Sequence, residues 1–422
     1  MKQSKNLLVF SPFFLKTFLF LFMIFFVFFG FLLYVLLENK KVFALFLPFL
    51  IWQIDSIFFL DDFSKPFVFL TFLVVCNLWL FSQSFGVIVL FGVLLSFCIS
   101  SLAWFLILFE FILLPISLLI WCGQRRERFS SVIYILVFTL LFSLPFLLVI
   151  LYISISGNIL FRDFFIVLPF VKELVFLCFL VFLVKFPVFI FHFWLPRAHV
   201  EAPTFGSVIL ASCLLKLGTF GLTRFFHFLA FFSSLIFILG VVGIVFSSVC
   251  CFFTPDLKAL IAFSSIFHMS GLCRALICGV EGSLSIVAFL SCSHGFLSSL
   301  LFFLCGGLYE KSCSRSVLLL RGAWLSSFGL FFWVCLLFLN CAFPVTISFV
   351  SEIFSAYLML SFWPFALCFL ILSLWFSGSI AVILLFSLWG VKTKKANSTS
   401  RLSLLFLFLL VFWTILLWQI FY

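Results

Sequence analysis

The sequence predicts an all-α, polytopic membrane protein with about 13 transmembrane helices. Hydrophobic residues make up 66% of its 422 residues and charged residues only 9%, and the mean hydropathy is +1.44. No soluble domain with this composition would stay out of aggregates. Apolar runs of roughly 17 to 25 residues, long enough to cross a bilayer as helices, recur along the chain. Lysine and arginine are concentrated in alternate loops, as expected for a multipass protein.

Thirteen apolar runs are separated by short polar segments. They cover approximately residues 7–37, 66–82, 85–101, 103–122, 129–156, 171–196, 203–226, 230–252, 257–279, 284–308, 326–358, 364–390 and 402–421. The first run has no small-residue cleavage site, so we expect it to be retained. We predict four parts: an N-terminal helix and outer-surface segment (1–65), two halves of the transport unit (66–226 and 227–390), and a basic loop with a C-terminal helix (391–422).

The basic residues predict the orientation of these helices. The side that holds the N-terminus and every second loop collects most of them, including Lys2, Arg125, Arg197, Lys258 and Arg315. Such residues stay on the side from which a protein is inserted, so the N-terminus is predicted inside and the C-terminus outside. The net charge of +11 is therefore interpreted as topology and contact with membrane lipid, not as nucleic-acid binding.

Cysteines and nucleotide motifs give no sign of a bound cofactor. None of the fifteen cysteines forms a CxxC pair and nearly all lie in apolar runs, so we interpret them as small hydrophobic residues. The chain also lacks GxGxxG and GxxxxGK[ST], the motifs of dinucleotide and ATP sites. We expect no cofactor and no metal in this chain, and we expect its energy to come from a gradient or from partners.

Phenylalanine is used far more often than a membrane protein requires. The chain has 75 phenylalanines, although leucine or isoleucine would suit a bilayer equally well. A bias towards T-rich codons in an organelle genome would explain this usage, and we expect the gene to lie there. Finding it in the nucleus would contradict that hypothesis.

Several charged residues fall inside predicted spans, and three of them lie far from polar flanks. Lys185 and Lys216 lie in apolar runs, and Glu110 is the eighth residue of the span 103–122, AWFLILFEFILLPISLLIWC. A charge at this depth costs several kcal/mol, so it is normally paired, water-lined or neutral, and usually functional. A structural ion pair is the alternative for Glu110. We predict that Glu110 and Lys185 form an acid–base pair that could act as an electrostatic valve.

Prolines interrupt two of these spans. Pro187 and Pro196 follow Lys185 and are predicted to interrupt its helix, because proline removes a backbone donor. Pro344 precedes Glu352 in the eleventh span in a similar way. Two broken helices five spans apart have opposite orientations, which predicts an inverted repeat, a transporter signature.

Histidines extend the series of intramembrane polar residues. His268 and His294 lie within spans and are predicted to transfer protons, while His192 and His199, near the first break, are possible members of the same path. Intervening serines would help to hold a water-linked wire. Asp256 has a different role: Thr254 is predicted as an N-cap, with the proline after it in the first turn and Asp256 near the positive end of the dipole.

Several of these segments resemble a known family. The segments LVKFPVFIFHFWLPRAHVEAP, GSVILASCLLKLG, DLKALIAFSSIFHM, SHGFLSSLLF and FEFILLP resemble the antiporter-like proton-pumping subunits of mitochondrial respiratory complex I, NADH dehydrogenase. QIDSIFF and NCAFPVTISFVSEI resemble it more weakly. The resemblance covers about residues 50–360 and implies an antiporter-like fold. At the terminal position of the series this chain has an acid, Glu352, where some members of that family have a lysine.

The resemblance also implies roles for individual residues. Glu110 would be the acid paired with Lys185, Lys216 the central lysine, and Glu352 the terminal acid near the exit. His268 and His294 would connect the central lysine to that acid.

The resemblance implies a location and partners as well. The chain would be a multipass subunit of a hetero-oligomer in the mitochondrial inner membrane, beside other membrane-arm subunits. The complex uses FMN, iron–sulfur clusters, NADH and ubiquinone, which partner subunits would bind.

The chain departs from the family pattern at a few positions. Lysine is usual at Arg197, a second proline at Val345, and asparagine and glycine at Ser348 and Ser351. The family also usually has one helix more than is counted here, which loss of the first helix would explain. The alternatives are a cation/proton antiporter subunit of the related family and a structural assembly subunit that does not pump.

Overall fold

The computed structural model describes residues 64–79, 84–99, 101–121, 127–155, 180–225, 233–277, 281–320, 327–342, 346–360 and 366–388. All of them belong to one unit, which extends from Leu60 to Tyr422. The predicted spans 7–37 and 402–421, the outer-surface segment up to residue 63 and the basic loop after residue 390 lie outside the described residues. The division into halves at residue 226 stays a prediction.

The described residues are almost entirely helical, as predicted. In chain order the helices are α1 (Ser64–Trp79), α2 (Ser84–Cys98), α3 (Leu102–Trp121), α4 (Arg128–Ile155), α5 (Trp194–Glu201), α6 (Thr204–Arg224), α7 (Ser233–Phe253), α8 (Leu257–Ile277), α9 (Glu281–Ser312), α10 (Val317–Leu320), α11 (Ser327–Asn340), α12 (Ile347–Leu360) and α13 (Ala366–Leu388). A helical segment at residues 180–185 precedes α5. Helices satisfy their own backbone polar groups, which lipid cannot do.

Five of the described helices are long and apolar enough to cross a membrane. These segments are Leu102–Trp121, Arg128–Leu147, Thr204–Arg224, Ser233–Phe253 and Gly282–Glu310. Shorter apolar helices lie at Ile88–Cys98, Leu257–Cys273 and Ser373–Leu384. The chain is thus a polytopic membrane protein, and the total of thirteen spans stays a prediction.

Helix α6 lies at the centre of the described structure. In its most apolar stretch 94% of the residues are buried, against 44% in α3 and 33% in α4. It packs against α9 on one side and α2 on another. Stacked and edge-on phenylalanine rings fill the space between α1, α2, α3 and α6. The ring centroid of Phe220 on α6 lies 5.2 Å from that of Phe97 and 5.6 Å from that of Phe105. The predicted central lysine, Lys216, therefore lies on the least lipid-exposed of the five long helices.

The first break lies where Pro187 predicts it, but Pro196 does not interrupt a helix. The helical segment ends at Lys185, residues 186–193 form turns, and α5 begins at Trp194. Pro196 is the third residue of α5, within the first turn, where its missing N–H costs no helical hydrogen bond. The predicted second interruption was therefore wrong. The next discontinuity lies at Ala202, whose extended backbone (ψ 144°) ends α5.

The second break separates α11 from α12. Helix α11 ends at Asn340, Cys341 and Ala342 form a turn, and α12 begins at Ile347. Pro344, the predicted cause of this break, lies outside the described residues. Each break contains a non-glycine residue with positive φ, Ile190 at 82° and Ala342 at 54°. Both breaks therefore follow the end of a helix and contain one non-glycine residue with a positive φ.

The start of α8 differs from the prediction by two residues. The helix begins at Leu257, and the residue before it is Asp256, not Thr254; the Asp256 backbone carbonyl accepts from the Leu260 N–H at 2.9 Å. The Thr254 hydroxyl instead donates back to the Cys251 carbonyl at 3.3 Å. Asp256 also forms an isolated antiparallel bridge with Ser316. This bridge joins the start of α8 to the segment after α9.

Candidate functional site

Glu110 and Lys185 form a buried ion pair, as the sequence predicts. The Lys185 ammonium donates to Glu110 Oε1, and the two side chains are 4% and 15% exposed. The ammonium also lies 3.3 Å from the centroid of the Phe109 ring, a favourable cation–π contact. Glu110 Oε2 is buried and accepts no hydrogen bond from the described protein atoms. The carboxylate therefore has a free lone pair for a second donor.

The first break places Lys185 at the end of a helix. The Phe186 N–H donates to the Phe182 carbonyl at 2.7 Å, and the chain then turns instead of continuing the helix. The Trp194 indole N–H, from the start of α5, donates to the Val184 carbonyl at 2.9 Å. This side-chain bond supplies a partner for a carbonyl near the helix end, where intrahelical donors are missing.

Glycine at position 218 brings the helix of Lys216 against the backbone of Lys185. A Cβ atom at Gly218 would lie 2.9 Å from the Phe186 nitrogen and 3.1 Å from the Lys185 carbonyl carbon. Neither backbone atom could move aside easily. Glycine is therefore required for α6 to cross the first break at this point, and the crossing holds the two intramembrane lysines in neighbouring elements.

Lys216 is fully buried and is held from both sides. Its ammonium donates to the Ala211 carbonyl at 2.9 Å and to His294 Nδ1 at 3.2 Å. Ala211 belongs to a five-residue π-helix, Leu210–Leu214, within α6. A π-helical turn is rare and is frequently found at functional sites. Here it lies one turn before the lysine and supplies the carbonyl that binds the lysine ammonium.

Two histidines continue the series from Lys216 towards the second break. The His294 ring on α9 lies 5.2 Å from the His268 ring on α8, measured between centroids. The His268 side chain hydrogen-bonds to that of Asn340, the last residue of α11. The series Lys216, His294, His268 and Asn340 therefore joins the buried centre of α6 to the end of a broken helix.

Glu352 lies on α12, one element beyond Asn340. It is partly buried and lies within electrostatic range of Cys341, in the turn after α11. The structure thus places the last acid of the predicted series on the far side of the second break.

The two possible histidines have different environments. His192 lies in the first break, 2% exposed, with its ring 4.4 Å from Phe193 and 5.2 Å from Phe246. His199 lies within α5, fully buried, with its ring stacked 4.3 Å from Phe302. Neither of its ring nitrogens has a hydrogen-bond partner among the described residues, and Lys216 lies within electrostatic range. Of the two histidines, His199 therefore resembles the main series more, because it is fully buried and lies within electrostatic range of Lys216.

The serines around this series do not have the free donors that a hydrogen-bonded wire would use. Ser212 donates to the Val208 carbonyl at 2.8 Å, Ser265 to Ala262 at 2.7 Å and Ser298 to Gly295 at 3.3 Å. Each hydroxyl hydrogen thus points to its own helix backbone, a common arrangement for serine within a helix. The oxygens remain available as acceptors only.

A second polar cluster beside α5 was missed by the sequence reasoning. Lys258, interpreted as a loop residue, is 1% exposed and donates to the Ala202 carbonyl at 2.9 Å. Arg315 donates to the Val200 carbonyl at 2.9 Å, and its guanidinium lies 3.9 Å from Glu201 Oε1. These cations bind carbonyls at the end of α5, where the helix leaves acceptors without donors. The assignment of Lys258 to a loop was wrong, because it is a buried residue of the first turn of α8.

The arrangement can hold and exchange protons along a buried line. Its members are a carboxylate, two amines, two imidazoles and a second carboxylate, spread over helices that cross the described unit. Each is a group that can bind or release one proton. The direct contacts comprise one ion pair, one amine–imidazole bond and one imidazole–amide bond.

Comparisons with known proteins identify relatives of this chain. Residues 100–377 match the family model described as NADH:quinone oxidoreductase/Mrp antiporter, transmembrane. NADH-ubiquinone oxidoreductase chain 4 of Artemia franciscana is 36% identical over 302 residues, covering 68% of this chain and 75% of that protein. Chain 4 of Acanthamoeba castellanii is 38% identical over 328 residues, covering 69% of this chain and 63% of that protein.

A third relative and a solved structure extend the comparison. Chain 4 of Rhipicephalus sanguineus is 36% identical over 270 residues, which is 62% of this chain and 61% of that protein. The chain therefore spans about three-fifths of the length of several of these curated relatives. A chain of respiratory complex I from Thermus thermophilus with bound NADH has the same fold, with a TM-score of 0.72 at 24% identity, covering 84% of this chain and 80% of that chain.

Proposed function

Because the chain belongs to the NADH:quinone oxidoreductase/Mrp antiporter family, as a relative of NADH-ubiquinone oxidoreductase chain 4, we propose that it is a proton-translocating subunit of respiratory complex I. In this role it moves protons across the mitochondrial inner membrane. NADH oxidation and ubiquinone reduction take place in partner subunits that bind the FMN and iron–sulfur clusters. Other membrane-arm subunits are its neighbours.

One observation carries this proposal: titratable side chains that lipid would not tolerate form a series through the buried centre of the helices. Lys216 is 0% exposed and nevertheless hydrogen-bonded to a second titratable group, His294. A purely structural lysine would be better replaced by an apolar side chain, because charge burial is costly. A proton relay, in contrast, requires such groups in sequence and shielded from leakage.

The Glu110–Lys185 pair gives this relay an input. While the carboxylate holds the Lys185 ammonium, the charge of that lysine is compensated. Withdrawal of either partner leaves a buried charge uncompensated, which changes the electrostatic energy of a proton at Lys216. Energy from the redox reaction of the partners would reach this chain through such a change. The proton would then pass from Lys216 through His294 and His268 towards Glu352.

A second candidate is a cation/proton antiporter subunit, favoured by the same family description, which also names Mrp antiporters. The two candidate functions differ in their partner subunits and in the energy source that drives transport. Copurification with flavin and iron–sulfur subunits supports the complex I role. Sodium-dependent proton exchange without those subunits supports the antiporter.

Replacement of Lys216 tests the proposal in the assembled complex. Lys216→Met keeps the length of the side chain and removes the titratable amine. We expect NADH oxidation to remain coupled to quinone reduction while the number of protons pumped per NADH falls, measured in sealed vesicles with a pH-sensitive dye. Lys216→Arg is the matched variant that keeps a cation but cannot release its proton. Unchanged pumping in both variants would refute the role.

A further inference from the structure

An apolar groove runs along the outer face of α4. It has a volume of about 410 Å³ and is lined by Leu136, Val137, Leu140, Leu141, Leu144 and Pro145. Val137, Leu141 and Leu144 are 52%, 61% and 49% exposed. No titratable side chain lines the groove. Pro145 contributes to its shape, because proline within a helix prevents the normal hydrogen bond to the preceding turn.

A cation lies just beyond one end of this groove. The Arg197 guanidinium on α5 stacks on the ring of Tyr134, 4.0 Å from its centroid. Tyr134 precedes Val137 by three residues and Leu141 by seven, so the three lie on one face of α4. Arg197 is exposed, and no carboxylate of the described residues forms an ion pair with it. The guanidinium thus lies on the same face of α4 as the groove.

The groove is about as long as one leaflet of a bilayer's hydrocarbon core is thick. Tyr134 lies six residues, or about 9 Å, from the start of α4, and the groove extends about 14 Å further, at 1.5 Å per residue. Half of a bilayer's hydrocarbon core is about 15 Å thick. The cation therefore lies nearer the membrane surface, and the groove extends from there towards the middle of the membrane.

We propose that this groove binds an anionic phospholipid, with one acyl chain against α4 and the phosphate at Arg197. A guanidinium binds two phosphate oxygens at once, and stacking on Tyr134 fixes the plane of its donors. Charge complementarity favours a lipid over an apolar helix of a neighbouring subunit. A helix packed here would cover Arg197 without supplying an anion, and burying an unpaired cation is costly.

The bound lipid would lie on the outer face of α4, which packs against the first break on its other side. On α4, Phe142 packs edge-on against Phe191 of the break, with ring centroids 5.6 Å apart. Arg197 is itself part of the helix that follows the break. The proposed site therefore touches both elements that fix the position of the unwound segment.

Native mass spectrometry of the full chain tests this site. The chain, purified in detergent, would be titrated with phosphatidylglycerol and with phosphatidylcholine of the same acyl composition. We expect one bound lipid per chain and a three- to tenfold preference for phosphatidylglycerol. Arg197→Gln should abolish the preference, because the guanidinium is lost. Leu141→Trp should abolish binding of both lipids by filling the groove, and Val137→Phe is a second variant with the same expected result.

Two controls separate this site from general effects of charge and apolar surface. Arg224→Gln removes another guanidinium that lies over an aromatic ring, 4.8 Å from the centroid of Phe220, and should leave lipid binding unchanged. Ile238→Trp enlarges a residue that is 59% exposed on α7 and should do the same.

Three outcomes would overturn the proposal. One is equal binding of the two lipids by the unaltered chain, and another is an undiminished preference in Arg197→Gln. The third is that Leu141→Trp leaves lipid binding by the purified chain intact but releases neighbouring subunits when the same variant is placed in the assembled complex, since that result would make the groove a protein–protein contact.

Discussion

Addition of one methyl group at Gly295 would displace Lys216 without changing a titratable residue. Gly295 follows His294 on α9, and a Cβ atom there would lie 3.0 Å from Lys216 Cε and 2.7 Å from Leu70 Cδ1. Carbon atoms pack best at about 3.5–4.0 Å, so Gly295→Ala must move the lysine side chain by about 0.5–1 Å. The variant therefore tests the geometry of the relay separately from its chemistry.

The expected effect on pumping exceeds the effect on folding. The Lys216–His294 distance of 3.2 Å would grow to about 4 Å, beyond the limit of a hydrogen bond. A misplacement of 1 Å can slow a step by about 100-fold, so we expect pumping to fall at least tenfold. Overpacking costs about 1–3 kcal/mol and helix propensity returns about 1 kcal/mol, so the chain should still fold and assemble.

The assay compares two alanine variants on the same helix. Gly282→Ala is the control, because nothing lies within 4 Å of a Cβ atom there. Both variants would be assembled in the complex and reconstituted into sealed vesicles, and protons pumped per NADH would be measured with NADH oxidation recorded in parallel. Equal pumping by the two variants, with both complexes intact, would refute the reasoning.

Two further predictions concern stability, measured as thermal unfolding of the purified chain. At Ile190, whose φ is 82°, glycine should be more stable than alanine by about 1 kcal/mol, the reverse of the order in a helix; an alanine variant at least as stable would contradict the strained backbone. Glu110→Gln should cost about 3–5 kcal/mol because it leaves the Lys185 ammonium without its counter-ion, and Glu110→Gln combined with Lys185→Met should recover most of that loss; an additive loss in the double variant would contradict the pairing.

The helices were predictable because the membrane imposes both their length and their composition. The predicted span 257–279 corresponds to Leu257–Ile277, and 230–252 corresponds to Ser233–Phe253. Polar residues between apolar runs locate these ends well, since few alternatives satisfy the backbone in lipid. The first break was predictable for a related reason, because Pro187 cannot continue a hydrogen-bonded helix.

The Glu110–Lys185 pair was predictable from energetics alone. Two opposite charges at similar depths in apolar spans stabilise each other, and neither is tolerated without compensation. The contacts of Lys216 were not predictable in the same way. The contact of Lys216 with the Ala211 carbonyl requires a π-helix, and no residue pattern in Leu210–Leu214 predicts one. Asn340 was missed because a polar residue near a break is ordinarily interpreted as a helix end.

Lys258 illustrates a different limit of sequence reasoning. It lies one residue after the start of a helix, where a basic side chain normally reaches solvent. In the structure it is covered because α5 ends against it, and the Ala202 carbonyl replaces water. That contact joins residues 56 positions apart in the chain. Local composition carries no information about such a partner.

The burial of α6 has a consequence for how the chain is made. Of the five long apolar helices, the one most enclosed by protein is also the least apolar, and it carries Lys216 and the π-helix. The insertion machinery selects segments by their affinity for lipid. This segment has the lowest hydropathy of the five long helices, so its affinity for lipid is the weakest. Its entry into the bilayer therefore depends on helices synthesised before it, such as α1, α2 and α3, which pack against it in the folded chain. The segment that contains Lys216 therefore needs other helices for its insertion, whereas the lipid-facing helices around it can be inserted individually.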